Sequence, residues 1–158
     1  MSSEFTSDSQ KIYIASDHAG LELKDYLIKS LPRWSWVDLG PQKSDGSVDY
    51  PDYAEKLGLK IAHTHAAQGV LICGSGVGVC IAANKIPGVR AAQVENLEVA
   101  RLSREHNDAN VICIGARFLK PATAAALVKV WLETSFSGEE RHAGRVEKIR
   151  TLEKRYSS

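Results

Sequence analysis

Five short apolar runs, each followed by a polar or helix-patterned segment, constrain this chain more than any other feature. The runs are Lys11–Ser16 (KIYIAS), Ser35–Gly40 (SWVDLG), Gly69–Cys73 (GVLIC), Val89–Val94 (VRAAQV) and Asn110–Arg117 (NVICIGAR). Helices are expected over about 21–30, 53–65, from the glycines after Cys73 to Pro87–Gly88, 96–105, 122–133 and 140–156. Strand–helix–strand repetition implies right-handed crossovers and a parallel sheet with helices on both faces. The third run is apolar throughout, as a strand buried on both faces should be. Asp45–Gly46 and Pro51 mark the long connection after the second run as a loop.

The expected fold is therefore α/β: a three-layer αβα domain whose five-stranded parallel sheet has the Rossmann/flavodoxin-like order 2-1-3-4-5. A chain of 158 residues suits one core, so residues 11–158 are expected to form one domain. The polar stretch 1–10 is expected to be a disordered tail. It lacks a hydrophobic signal core, and no run of about 18 apolar residues occurs anywhere. Both points lead to an expected cytoplasmic location with no membrane partner. A net charge of +1 argues against nucleic acid as a partner. Cys73, Cys80 and Cys113 lie in apolar contexts without CxxC spacing, so they read as free thiols, not as a zinc site or a disulfide framework. His63 and His65, two apart on a helix, point different ways and make no metal pair.

In such sheets ligands bind beyond the carboxyl ends of the strands, where strand order reverses. With strand one beside strand three, the loops SDHAG (16–20) and CGSGVG (73–78) face each other across one crevice. Gly74, Gly76 and Gly78 form GxGxG, which is neither the dinucleotide GxGxxG nor a Walker loop. Backbone N–H groups at such a loop suit an anion, either a phosphate or a developing enediolate oxygen. A tight turn that needs small residues is the alternative. Cys73 stands beside these donors, which favour the thiolate that could take a proton from carbon; Cys80 and Cys113 read as packed core thiols. Asp17 and His18 occupy the other lip, as ligands or as a helix cap with an incidental histidine. Tyr50 offers a hydroxyl, and His106, Asn107 and Asp108 form a polar cluster before the fifth strand. Arg117 ends that strand. Arg141 and Arg145, four apart, share a helix face that fits a phosphate dianion or is simply a solvated basic face.

Five stretches carry a resemblance: SDHAG, DYPDYA, GVLICGSGVGVCIAANKIPGVRAA, SREHNDANVICIGAR and RHAGRVEKI, in that order. Together the chain resembles the ribose-5-phosphate isomerase B family of sugar-phosphate isomerases. The resemblance implies interconversion of ribose 5-phosphate and ribulose 5-phosphate through a cis-enediol, without metal or other cofactor. It implies that Cys73 is the base that moves a proton between C2 and C1. In another subclass a glutamate stands where this chain has Val79. His106 matches the ring-opening acid. Asp17, His18, Tyr50, Gly74, Ser75, Gly76, Val77, Gly78, Asn107, Arg117, Arg141 and Arg145 match substrate-binding positions. Ser75 replaces a threonine of some members and keeps the hydroxyl.

Galactose 6-phosphate or allose 6-phosphate isomerases of the same family are the closest alternatives. A non-catalytic sugar-phosphate sensor would have no use for Cys73 or His106, and a receiver-like module would need an aspartate where Cys73 stands. Topology adds one expectation. His106 and Asn107 follow a helix and precede strand five, so they lie at the opposite end of the sheet from Cys73. A working site then needs a second copy: a homodimer, or a dimer of dimers, with the C-terminal helix used in dimerisation.

Overall fold

The computed structural model describes residues 10–157; residues 1–9 of the expected tail lie outside the described residues. The chain runs β1 (Lys11–Ser16), α1 (Leu21–Ser30), β2 (Ser35–Asp38), α2 (Tyr50–His63), β3 (Gln68–Cys73), α3 (Val77–Ala83), β4 (Ala91–Gln93), α4 (Leu97–Asn107), β5 (Val111–Gly115), α5 (Pro121–Glu133) and α6 (Glu140–Tyr156). All strand pairs are parallel. The alternation of side chains builds two cores. Ile12, Ile14, Val70, Ile72, Ile112 and Ile114 face one way, against Leu27, Leu127 and Trp131 of α1 and α5. Tyr13, Ala15, Leu71, Cys73 and Cys113 face the other way, against Leu57 of α2 and Val79 of α3. The layers are therefore helix, sheet, helix, as the runs implied.

The strand order is 2-1-3-5-4, not 2-1-3-4-5. β5 lies between β3 and β4, and β4 forms an edge. The reason is apolar content. Every residue of β5 is buried, whereas the three residues of β4 are half-buried. A strand apolar on both faces belongs inside a parallel sheet. The reversal point between β1 and β3, which locates the crevice, is as expected. No described helix is long and apolar enough to cross a membrane.

Lys24 lies on the core side of α1 and is fully buried. Its Nζ donates to Asp38 Oδ1 and to the Pro41 carbonyl, both at 2.7 Å, and so ties α1 to the end of β2. Removing one member of such a pair leaves the other charge buried without compensation. Asp38→Ala is expected to lower unfolding stability by about 3–5 kcal/mol in urea titrations. A loss below about 1 kcal/mol, the range of a surface ion pair, would show that the ammonium reaches water.

Candidate active site

β1 and β3 end side by side, with Ser16 paired to Ile72. The chain leaves β1 at Asp17, whose amide donates to the Ile72 carbonyl at 3.0 Å. Asp17 is buried, and its Oδ1 accepts from Gly20 N at 3.1 Å, so the carboxylate caps the short turn His18–Gly20. His18 is exposed. Its Nδ1 lies 3.2 Å from Val48 N and Val48 O, which joins this lip to the loop before α2.

Cys73 closes β3 and is nearly buried. Gly76 N–H donates to its Sγ at 3.1 Å, and Val77 N–H donates to Ser75 Oγ at 3.2 Å. Two of the loop amides expected to await an anion are thus turned onto the loop's own side chains. The first of them bears directly on the Cys73 sulfur. A side chain at the loop glycines would crowd backbone at Gly76 and the side chains of Arg117 and Tyr50 at Gly74 and Gly78. A methyl group at Gly74 would lie 2.8 Å from Arg117 Nη1, at Gly76 2.8 Å from the Ile114 backbone carbon, and at Gly78 2.6 Å from Tyr50 Cζ. Gly76 also has φ +78°, a left-handed conformation that glycine adopts without strain. Arg117 and Tyr50 therefore flank the loop that holds Cys73. Arg117 is exposed and has no side-chain partner among the described residues, which leaves its donors available to a ligand.

The other two thiols differ from each other. Cys113 is fully buried on β5, and burial pushes its thiol well up. Cys80 is only half-buried. A hydrogen bond from Cys113 draws its thiol down to about 7 against the opposing effect of burial, so the reading of Cys80 as a core thiol holds only in part. No three His, Cys, Asp or Glu side chains gather as a metal site would require among the described residues.

The remaining candidates stand elsewhere. His106 and Asn107 end α4, next to the start of β5, where Gly69 pairs with Val111. Cys73 pairs with Gly115 at the opposite end. Six residues of β3 separate the two ends, about 17 Å. Asp108 caps α4 at φ +46°. Its carboxylate meets Arg104 at 2.9 Å and Arg90 at 3.3 Å, while Arg90 Nε also donates to the Asn107 carbonyl at 3.1 Å. Two arginines thus clamp the turn that carries His106. The His106 ring stacks on His142 of α6 at a centroid distance of 4.2 Å. Arg141 and Arg145 flank His142 on the same helix. Both are exposed, and Arg141 Nε donates to Glu139 at 3.0 Å. The chain therefore carries two clusters. Asp17, His18, Tyr50, Cys73, the glycine loop and Arg117 gather at one end of the sheet. His106 and Asn107 lie at the other, with α6 packed beside His106. His142 is absent from the residues singled out by sequence. It sits beside Arg141 in RHAGR, and nothing in its spacing shows that it meets α4.

The profile described as Ribose/Galactose Isomerase matches residues 12–149. The chain belongs to this isomerase family. It is 47% identical over 145 residues to a probable ribose-5-phosphate isomerase B of Mycoplasma pneumoniae, covering 90% of this chain and 95% of that one. It resembles the structure of type B ribose 5-phosphate isomerase from Trypanosoma cruzi with a TM-score of 0.88 and 41% identity, over 93% of this chain and all of that one. The crystal structure of ribose-5-phosphate isomerase B from Mycoplasma genitalium with bound ribulose-5-phosphate matches at a TM-score of 0.87 and 43% identity, over 92% and 97% of the two chains. The isomerase family read from five separated stretches of sequence is the family whose profile matches residues 12–149.

Proposed function

We propose that this isomerase interconverts ribose 5-phosphate and ribulose 5-phosphate through a cis-enediolate, in a site shared by two copies of the chain. The observation that carries the chemistry is Cys73: a thiol at the switch point of the sheet, held by Gly76 N–H at 3.1 Å and flanked by Arg117 and Tyr50. As His106 of the second copy donates a proton to the ring oxygen, the C1 hydroxyl releases its own proton to water, the bond from C1 to the ring oxygen breaks, and the open aldehyde forms. The Cys73 thiolate then removes the C2 proton. The C2–H electrons form the C1=C2 bond, and the aldehyde oxygen takes the negative charge. Return of the proton to C1, with the O2 proton passing to O1, leaves the ketose and regenerates the thiolate. The names of the relatives favour ribose 5-phosphate over a hexose phosphate, and the thiol itself speaks against a mere sensor.

The test is a substrate panel. Purified protein in buffer containing EDTA is given ribose 5-phosphate, allose 6-phosphate and galactose 6-phosphate, and ketose formation is followed. Ribose 5-phosphate is expected to turn over fastest, with EDTA without effect. Preference for a hexose phosphate, or dependence on an added divalent ion, would overturn the reading.

The phosphate is held in this proposal by the basic start of α6. Charge-assisted hydrogen bonds of this kind act in ground and transition states alike. Arg141→Ala and Arg145→Ala are each expected to raise KM for ribose 5-phosphate by about ten- to a hundredfold, with a smaller change in kcat, and inorganic phosphate should compete with substrate. An unchanged KM in both variants would move the phosphate elsewhere, Arg117 being the next candidate.

A further inference from the structure

We propose that His142 is a positioning residue: it fixes the plane of the His106 imidazole, and so governs ring opening, without touching the substrate. This rests on the reading of His106 as the ring-opening acid. His106 lies in the last turn of α4 and is only half-buried. A side chain there would ordinarily sample several rotamers. His142 is 3% exposed, and its ring lies against His106 at 4.2 Å with 31° between the planes. Ser137 Oγ stands 2.7 Å from His142 Nδ1. The same oxygen accepts from Glu139 N–H at 3.2 Å, so one hydroxyl ties the His142 ring to the backbone at the start of α6. Ser137 N–H donates to the carbonyl of Glu105, the residue before His106, at 3.1 Å. The segment 137–142 is therefore fastened to the His106 turn twice, once through the backbone and once through the stacked rings.

The surroundings disfavour a positive charge on His142. The charged groups that face it are Glu139, Arg141 and Arg145 from its own side and His106 from α4. Burial first, then the positive charge of His106 and Arg141, hold it below the ordinary imidazole range. A neutral ring accepts an imidazolium at van der Waals distance, whereas a second cation would repel it. Misplacing a proton donor by about 1 Å costs on the order of a hundredfold in rate, which sets the expected effect.

Sugar chemistry supplies a readout that separates positioning from general damage. Ribose 5-phosphate is largely a closed furanose and needs opening. Ribulose 5-phosphate is open, because its 5-hydroxyl carries the phosphate. Exchange of its C1 proton with deuterium from solvent therefore uses Cys73 and not ring opening. His142→Ala is expected to lower kcat on ribose 5-phosphate by about a hundredfold, with KM and C1 exchange changed by less than about threefold. His142→Phe, which keeps a flat ring against His106, should recover most of that loss. Ser137→Ala should lose about tenfold with the same selectivity, and it guards against a folding defect in the larger substitutions. Equal losses in both assays, or no loss in either, would overturn the proposal. His106→Asn is measured alongside. If it shows the selective loss and the His142 variants do not, positioning alone fails. If His106→Asn shows none, the acid assignment fails and the positioning role falls with it.

Discussion

Replacing Cys73 with alanine is expected to slow isomerisation about a thousandfold or more while substrate affinity stays within about threefold. A base that removes a proton from carbon acts only on the way to the transition state, so its loss appears in kcat. The structure gives this thiol a backbone donor at 3.1 Å from the sulfur and a place at the loop that Arg117 and Tyr50 flank. Cys80 is the natural control. It is the more exposed thiol, and Cys113 draws it down to about 7, yet its Sγ is turned to the Ala91 carbonyl of β4 at 3.5 Å and not to the glycine loop. Cys80→Ala should retain nearly full activity. If Cys73→Ala turned over near the normal rate, or Cys80→Ala lost activity as Cys73→Ala is expected to, the base would have been misassigned.

Mixing two inactive variants should restore activity. Cys73→Ala and His106→Ala chains, allowed to exchange subunits, are expected to recover about a quarter of the sites: random pairing makes half the dimers mixed, and each mixed dimer has one intact site of two. The separation along the sheet drives this expectation. Cys73 aligns with Gly115 at one end of β5, while His106 precedes Val111 at the other, and no imidazole spans the roughly 17 Å between them. Recovery is measured as ketose formation at equal total protein, with exchange followed independently by mass spectrometry of labelled chains. Exchange without recovery would mean that each chain completes its own site.

How much of this was legible in the sequence depended on the kind of signal. Short apolar runs and their spacing revealed the layers, the parallel strands and the crevice, because burial on both faces writes itself into composition. The places of β4 and β5 do not follow chain order, and VICIG against AAQ holds the reason: only the first is apolar enough to be covered on both sides. The glycine loop was visible, but the cause of each glycine was not. Contacts with Tyr50, Arg117 and the end of β5 are made by residues distant in the chain. His142 was invisible for the same reason, since its importance arises only when the segment before α6 folds back onto α4. The separation of His106 from Cys73 could be reasoned out beforehand, because which end of a strand a loop joins follows from topology alone.

In the proposed site, the arginine clamp on Asp108 ties ring opening to local opening of the molecule. Arg90 lies immediately before β4, a strand of three half-buried residues at the border of the sheet. Such borders open at lower free energy than the interior strands, which are shielded on both sides. Each opening that draws Arg90 away also releases the Asn107 carbonyl and the strained Asp108, and with them the imidazole of the preceding residue. Heat or denaturant should therefore silence the enzyme while amides in β1, β3 and β5 are still protected from hydrogen exchange. Thermal inactivation then reports the fraying of one corner and not the melting of the fold.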